Sequence, residues 1–303
     1  MIITVTLNPA IDYYVYVTNL SSSKTNIIEK KEIRCGGKGI NVNKTLSFLK
    51  EKSVATGFLF SNDVVLFEKE LNNEYIIGDF VIVEGSTRTN IKINQQDGSL
   101  IEINENNKVK ETDFFRLLSR LEKYLIKENI IVISGSLPEG LSKDTYLKLC
   151  LRAKEKGCKV IFDSSKKPMM LAYRYCDVIK PNKEEFLYLT GLDDECSMQN
   201  VVDKLREFDN EIAVVSLAEQ GAIYKYKNDI YKVNPLNMKV KSTVGAGDAM
   251  VAGLSYGLKN RKDFEEIIRY ASALSSLLIT DFDQNNFENE LETFKKMIEI
   301  ERI

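Results

Sequence analysis

From residue 111 onward, short apolar runs alternate with stretches of helical periodicity, and each run ends in a polar cluster. IIVI (130–133) gives way to Ser134-Gly135-Ser136-Leu137-Pro138, VIF (160–162) to Asp163, and VI (178–179) to Lys180-Pro181-Asn182. A fourth run, 212–217, ends at Ala218-Glu219-Gln220-Gly221. Runs this short and this uniformly apolar read as strands covered on both faces. Strand, loop and helix in repetition restrict the chain to an α/β fold, a mainly parallel central sheet with helices on both sides. Ligands of such sheets bind beyond the carboxyl ends of the strands, which is where the polar clusters fall.

The first hundred residues read differently. Residues 2–7 and 13–17 alternate as strands, 27–33 forms a charged, exposed strand, and 54–60 a buried one. Three further strand-like runs, 80–84, 89–93 and 99–103, make a β-rich insertion, and Asp97-Gly98 is a hairpin turn between the last two. Arg88, Asn90 and Lys92 alternate and so face one side. That side is either a solvated polar face or a cationic wall for a substrate phosphate. Helical spacing covers 40–49, 62–75, 112–127, 199–208, 263–279 and 287–300.

Composition removes several kinds of chemistry. The 303 residues contain no histidine, which excludes Ser-His-Asp and Cys-His nucleophiles, histidine acid–base work and His-ligated zinc. Proton transfer must then rest on Asp, Glu, Lys, Tyr or Cys. The net charge of -2 points to no nucleic acid or anionic membrane as partner. No apolar run reaches the ~18 residues of a membrane span, and MIITVTLNPAID at the N-terminus lacks the basic leader and cleavage site of a signal peptide. Five cysteines without CxxC spacing read as reduced cytosolic thiols; Cys35, beside a glycine pair, is either reactive or a buried inert thiol.

Two glycine-rich loops open helices. In Gly245-Ala246-Gly247-Asp248 the glycines let successive backbone N–H groups converge, and the N-terminus of the small-residue helix expected from 249 to 258 adds unpaired donors and a partial positive charge. This is an anion site of the kind that holds a phosphoryl group. Asp248 beside it is either an N-cap or a base that deprotonates an attacking hydroxyl. Gly36-Gly37-Lys38-Gly39-Ile40-Asn41 is the second loop; its spacing is not that of a Walker A motif. Asp12, after the Asn8-Pro9 break, is either a turn residue or a carboxylate that binds sugar hydroxyls.

Taken in order, TLNPAID (6–12), GGKGINV (36–42), TRTNIK (87–92), IEIN (101–104), SGSLP (134–138), KPNKEE (180–185), SLAEQG (216–221) and TVGAGDAMVAG (243–253) resemble the motifs of ribokinase-superfamily sugar kinases. The similarity spans nearly the whole chain and is strongest to the phosphofructokinase-B branch, which contains 1-phosphofructokinase and tagatose-6-phosphate kinase. It implies one ribokinase-like α/β domain over 1–303, with a β-rich lid at 12–18, 27–34 and 86–104 that can pair across a homodimer. It implies cytoplasmic, ATP- and Mg2+-dependent phosphorylation of a ketose phosphate, with fructose 1-phosphate favoured over tagatose 6-phosphate. A sugar-phosphate and nucleotide binder that has lost catalysis is the remaining alternative. By position, Asp248 resembles the catalytic base, with Gly245, Ala246 and Gly247 as the anion hole. Asp12, Gly37, Lys38, Asn41, Arg88, Asn90 and Ser136 resemble the sugar-phosphate site. Lys180, Asn182, Ser216, Glu219 and Gly221 resemble the nucleotide site, and Asn182 and Glu185 the magnesium motif, acting through water. The chain departs from the family pattern at Asp163-Ser164-Ser165-Lys166, where Asp-Thr-Ser-Gly is usual. It departs again at SALSSLLIT (272–280), where the bulk of Leu277 and Leu278 bears on the shape of the adenine pocket, and in the tail after 280.

Overall fold

A computed structural model describes residues 1–164 and 166–303; Ser165, part of the first departure, lies outside the described residues. In chain order the strands are β1 Ile2–Thr6, β2 Ala10–Val17, β3 Lys30–Gly36, β4 Ser53–Phe60, β5 Ile76–Val83, β6 Thr89–Gln95, β7 Leu100–Asn104, β8 Ile130–Ser134, β9 Lys159–Asp163, β10 Val178–Ile179, β11 Ile212–Ser216, β12 Ala222–Tyr226, β13 Asp229–Val233 and β14 Ile300–Arg302. The α-helices are α1 Lys38–Phe48, α2 Val64–Glu70, α3 Glu111–Leu121, α4 Thr145–Glu155, α5 Lys166–Ala172, α6 Lys183–Thr190, α7 Met198–Arg206, α8 Ala246–Lys259, α9 Phe264–Leu277 and α10 Phe287–Met297.

The large sheet has the order β14-β13-β12-β11-β10-β9-β8-β1-β4-β5. It is parallel from β5 to β11 and antiparallel from β11 to β14. Its central strands are apolar on both sides because both sides are covered. Ile131 and Ile133 of β8 pack under α3, α4 and α5, while Ile130 and Val132 pack under α1, α8 and α9. Of residues 80–84, read from sequence as part of the insertion, 80–83 belong instead to this sheet: β5 lies parallel to β4 and buries Phe80, Val81 and Val83. The C-terminal strand β14 and the short helix α5 are additions that periodicity over three or seven residues is too brief to reveal.

A second sheet, β3-β2-β6-β7, stands beside the first. β3 begins three residues later than its charge pattern suggests. The Asp97-Gly98 turn does join β6 to β7 antiparallel, with Gly98 at φ 86° and the Asp97 carboxylate accepting from the Ser99 N–H at 2.9 Å. Register pairs Asp12 with Asn90 and Tyr14 with Lys92, so these four side chains share one face. Tyr13, Ile33, Ile91 and Ile103 share the other. Near its base the small sheet is anchored by Ile11 and Cys35, which pack with Ile40, Leu59 and Phe67.

Candidate active site

Helix α8 begins at Ala246, three residues earlier than its apolar run suggests. Its N-cap is Gly245, held left-handed at φ 90°, a conformation that costs glycine little. Asp248 therefore lies inside the first turn and caps nothing. Its Oδ2 instead accepts a hydrogen bond from Asn41 Nδ2 at 2.8 Å, across from α1. Among the described residues the N–H groups of Gly247 and Asp248 find no acceptor, as expected of a helix start. Burial pushes the Asp248 carboxyl up to about 6; Lys38, the Asn41 donor and Lys180 act against that rise and Asp163 adds to it. A carboxylate held this way is able to take a proton at neutral pH, beside donors that hold an anion.

Two lysines converge on the same place. Asp163, at the end of β9, has no exposed side-chain surface, and it splits its charge between Lys38 Nζ at 3.2 Å and Lys180 Nζ at 3.3 Å. Burial disfavours the Asp163 carboxylate, but the two ammonium groups outweigh it and hold the pKa below the ordinary range. Burial likewise disfavours the Lys38 ammonium, and Asp163, Asp248 and Glu185 more than restore it. A methyl group on Gly247 would sit 3.2 Å from Lys180 Nζ, so this ammonium lies directly against the anion loop.

Asn182 and Glu185 form a capping box at the start of α6. Asn182 Oδ1 accepts from the Glu185 N–H at 2.8 Å, and Glu185 Oε2 accepts from the Asn182 N–H at 2.9 Å. Burial raises the Glu185 carboxyl. Both residues also line the cleft. Among the described residues no three acidic or thiol side chains gather into a metal cage. One carboxylate with a free oxygen suits a hard cation that keeps most of its waters, as magnesium does beside phosphates.

The small sheet supplies further residues of the cleft. Asp12 Oδ1 accepts from Asn90 Nδ2 at 2.8 Å, and its Oδ2 lies 3.9 Å from the buried Lys92 Nζ. Arg88 donates to the carbonyls of Pro9, Glu105 and Asn8 at 3.2, 3.1 and 3.3 Å, and no carboxylate pairs with it among the described residues. Its guanidinium charge is left for a ligand anion. Together with Asp248, Lys180 and Ser216, these side chains line a cleft of about 380 Å³. A smaller pocket of about 150 Å³ adjoins it, shares Gly37, Lys38 and Arg88, and is closed by Ser136. Ser136 Oγ accepts from Asn8 Nδ2 at 2.8 Å.

Most of the residues singled out from sequence thus meet in one place: Asp12, Gly37, Lys38, Asn41, Arg88, Asn90, Lys180, Asn182, Glu185, Ser216, Gly245, Gly247 and Asp248 line the cleft, and Ser136 its annex. Ala246, Glu219 and Gly221 line neither. Glu219 is exposed on a short turn, and Gly221 is glycine because a side chain there would strike the Val233 carbonyl at 2.0 Å. Leu277 is wholly buried in the core with α8, Leu278 packs partly buried beside it, and neither lines the cleft or its annex. Cys35 is buried, with its thiol pushed up to about 12 by desolvation and then Glu70, which fits the inert reading. Lys92, which also lines the cleft, belongs to the Arg88-Asn90-Lys92 alternation read from sequence. Sequence reading gave no role to Asp163, which it marked by its place at a strand end and in the motif that departs from the family pattern.

Comparison with known proteins finds relatives over nearly the whole chain. The model of the pfkB family of carbohydrate kinases matches residues 5–290. A 1-phosphofructokinase of Vibrio cholerae is 31% identical over 304 residues, 99% of this chain and 96% of its own. A tagatose-6-phosphate kinase of Staphylococcus epidermidis is 33% identical over 285 residues, 91% of each. The fold matches that of Escherichia coli phosphofructokinase-2 in complex with substrates and products, with a TM-score of 0.89, 24% identity, and 97% of this chain and 99% of that one covered.

Proposed function

The chain belongs to the pfkB family of carbohydrate kinases and is a sugar-phosphate kinase; we propose that it moves the terminal phosphoryl group of ATP to fructose 1-phosphate, giving fructose 1,6-bisphosphate. One observation carries the reading. The Asp248 carboxylate lies in the same cleft as Lys38 and Arg88, against the unpaired amides of α8. Asp248 takes the proton of the sugar hydroxyl as it attacks, help worth about 10²–10⁴-fold. The amides of Gly247 and Asp248 and the Lys180 ammonium hold the transferring oxygens, and one such donor contributes about 10²–10³-fold. Asp12 and Asn90 orient the sugar, while Arg88, Lys38 and Ser136 receive the phosphate it already bears. Asn182 and Glu185 would hold a magnesium ion through water, and its chemistry there is to neutralise phosphate charge.

The small sheet serves as a lid that excludes competing water. Its outward face carries Ile33, Ile101 and Ile103, 43%, 38% and 54% exposed, which supports pairing of two copies through it. The five free thiols suit the cytoplasm.

The alternative reading is tagatose 6-phosphate as the substrate, favoured by the 33% identical relative. A coupled assay with ATP and, in turn, fructose 1-phosphate, fructose 6-phosphate and tagatose 6-phosphate decides. The highest kcat/KM belongs to fructose 1-phosphate, and a higher value for tagatose 6-phosphate overturns the assignment. Asp248→Ala lowers kcat by at least about 10²-fold while sugar-phosphate binding survives; unchanged turnover removes Asp248 from the chemistry.

A further inference from the structure

The three residues Lys38, Asp163 and Lys180 come from three elements and meet only here. Lys38 opens α1, Asp163 closes β9, and Lys180 follows β10. Lys38 lines both the main cleft and its annex, and so belongs to the sugar side. Lys180 Nζ lies against Gly247, on the side of the α8 amides. The Asp163 carboxylate reaches neither pocket itself. Its side chain is fully buried, and Asp163 Oδ1 finds no partner among the described residues apart from the Lys180 ammonium. The protein carries the desolvation of an inner carboxylate, a cost that one good ion pair seldom returns.

We propose that Asp163 is a positioning residue for phosphoryl transfer, a single buried carboxylate that fixes the ammonium groups of Lys38 and Lys180 side by side at the reacting cleft. It touches neither substrate. One lysine faces the sugar phosphate and the other the transferring phosphoryl group, and their separation is set by one carboxylate rather than by two independent partners. Lysine on its flexible stem is otherwise a poorly located charge, and a displacement of about 1 Å in such a group costs on the order of 10²-fold in rate. The inference rests on the kinase reading above and assigns a residue that reading does not use.

The test is a double-mutant cycle on kcat/KM in the full-length enzyme, with ATP and whichever of the three sugar phosphates the native enzyme turns over best. Asp163→Asn keeps the shape and removes the charge, and it lowers kcat/KM about 10²–10³-fold. In a Lys38→Met/Lys180→Met background the same change costs less than about threefold, because nothing is left for it to position. A full penalty in that background shows that Asp163 acts on its own, and overturns the proposal, as does native-like kcat/KM for Asp163→Asn alone. If Asp163→Asn does not fold, Asp163→Glu retains the charge but moves both ammonium groups; kcat then falls at least about tenfold, and native kcat in that variant is equally fatal. A native enzyme inactive on all three sugars with ATP would sink the kinase reading instead, which separates the two failures.

Discussion

Asp248 illustrates what a residue type alone leaves open. Gly-Ala-Gly-Asp at a helix start is compatible with a cap or with a base, and sequence cannot choose, because the choice depends on whether the helix begins before or after the aspartate. It begins before, at Ala246. The side chain then turns toward Asn41, a residue 207 positions away in the chain, and no local pattern reports that contact. Two consequences are measurable. In the proposed role of base Asp248 works only when ionised, so kcat/KM should fall as pH drops through about 6, and a limb near the ordinary carboxylate value of ~4 would exclude Asp248 as its source. The second concerns stability. A folded-state pKa raised from 3.8 to about 6 means that the folded form binds the proton more tightly than the unfolded chain. Keeping Asp248 ionised above pH 6 therefore costs stability, on the order of 3 kcal/mol, and the cost vanishes as pH falls below the unfolded value. Asp248→Asn should accordingly melt higher than the native protein at pH 8, with most of that advantage gone at pH 4. Equal Tm values at pH 8 would mean the carboxylate is not strained by burial.

At the scale of elements, the large sheet was legible because each central strand is a short apolar run and each ends in polar residues. Strand β5 was not, since its exposed Ile77 and Ile82 mix with buried Phe80, Val81 and Val83, and such a pattern suits an insertion as well as a sheet edge. The small-residue character of α8 was noticed, but its cause is tertiary. A methyl group on Gly253 would lie 2.5 Å from Ala271 Cα and 2.6 Å from Ala271 N, backbone atoms of α9 that cannot yield without moving the helix. Gly253→Ala gains helix propensity of about 1 kcal/mol, yet it forces α8 away from α9 and costs about 1–3 kcal/mol for overpacking. Because α8 carries Asp248 in its first turn, the variant should lose both Tm and kcat. A Gly253→Ala protein more stable than the native one would show that the helices are not in fixed contact.

For the whole molecule, the eight motifs were readable in order, but the way two sheets share them was not. Asp12, Arg88 and Asn90 meet Asp248 only because the chain leaves the large sheet, builds part of the small one, and returns, and then does so again. The outward isoleucines give the assembly prediction. Ile101→Lys with Ile103→Glu, two charges on the exposed face of β7, should shift a dimer to monomer in sedimentation while leaving the melting curve of the protomer unchanged. A native protein already monomeric at micromolar concentration would remove the pairing from the account.

The chain crosses between the sheets four times, over residues 6–10, 36–38, 83–89 and 104–111. Arg88 sits on one crossing and grips carbonyls of two others, those of Asn8, Pro9 and Glu105. A single guanidinium rivets three of the four threads. Any tilt of the small sheet would therefore turn the aim of that cation with it, one mechanical coordinate rather than two.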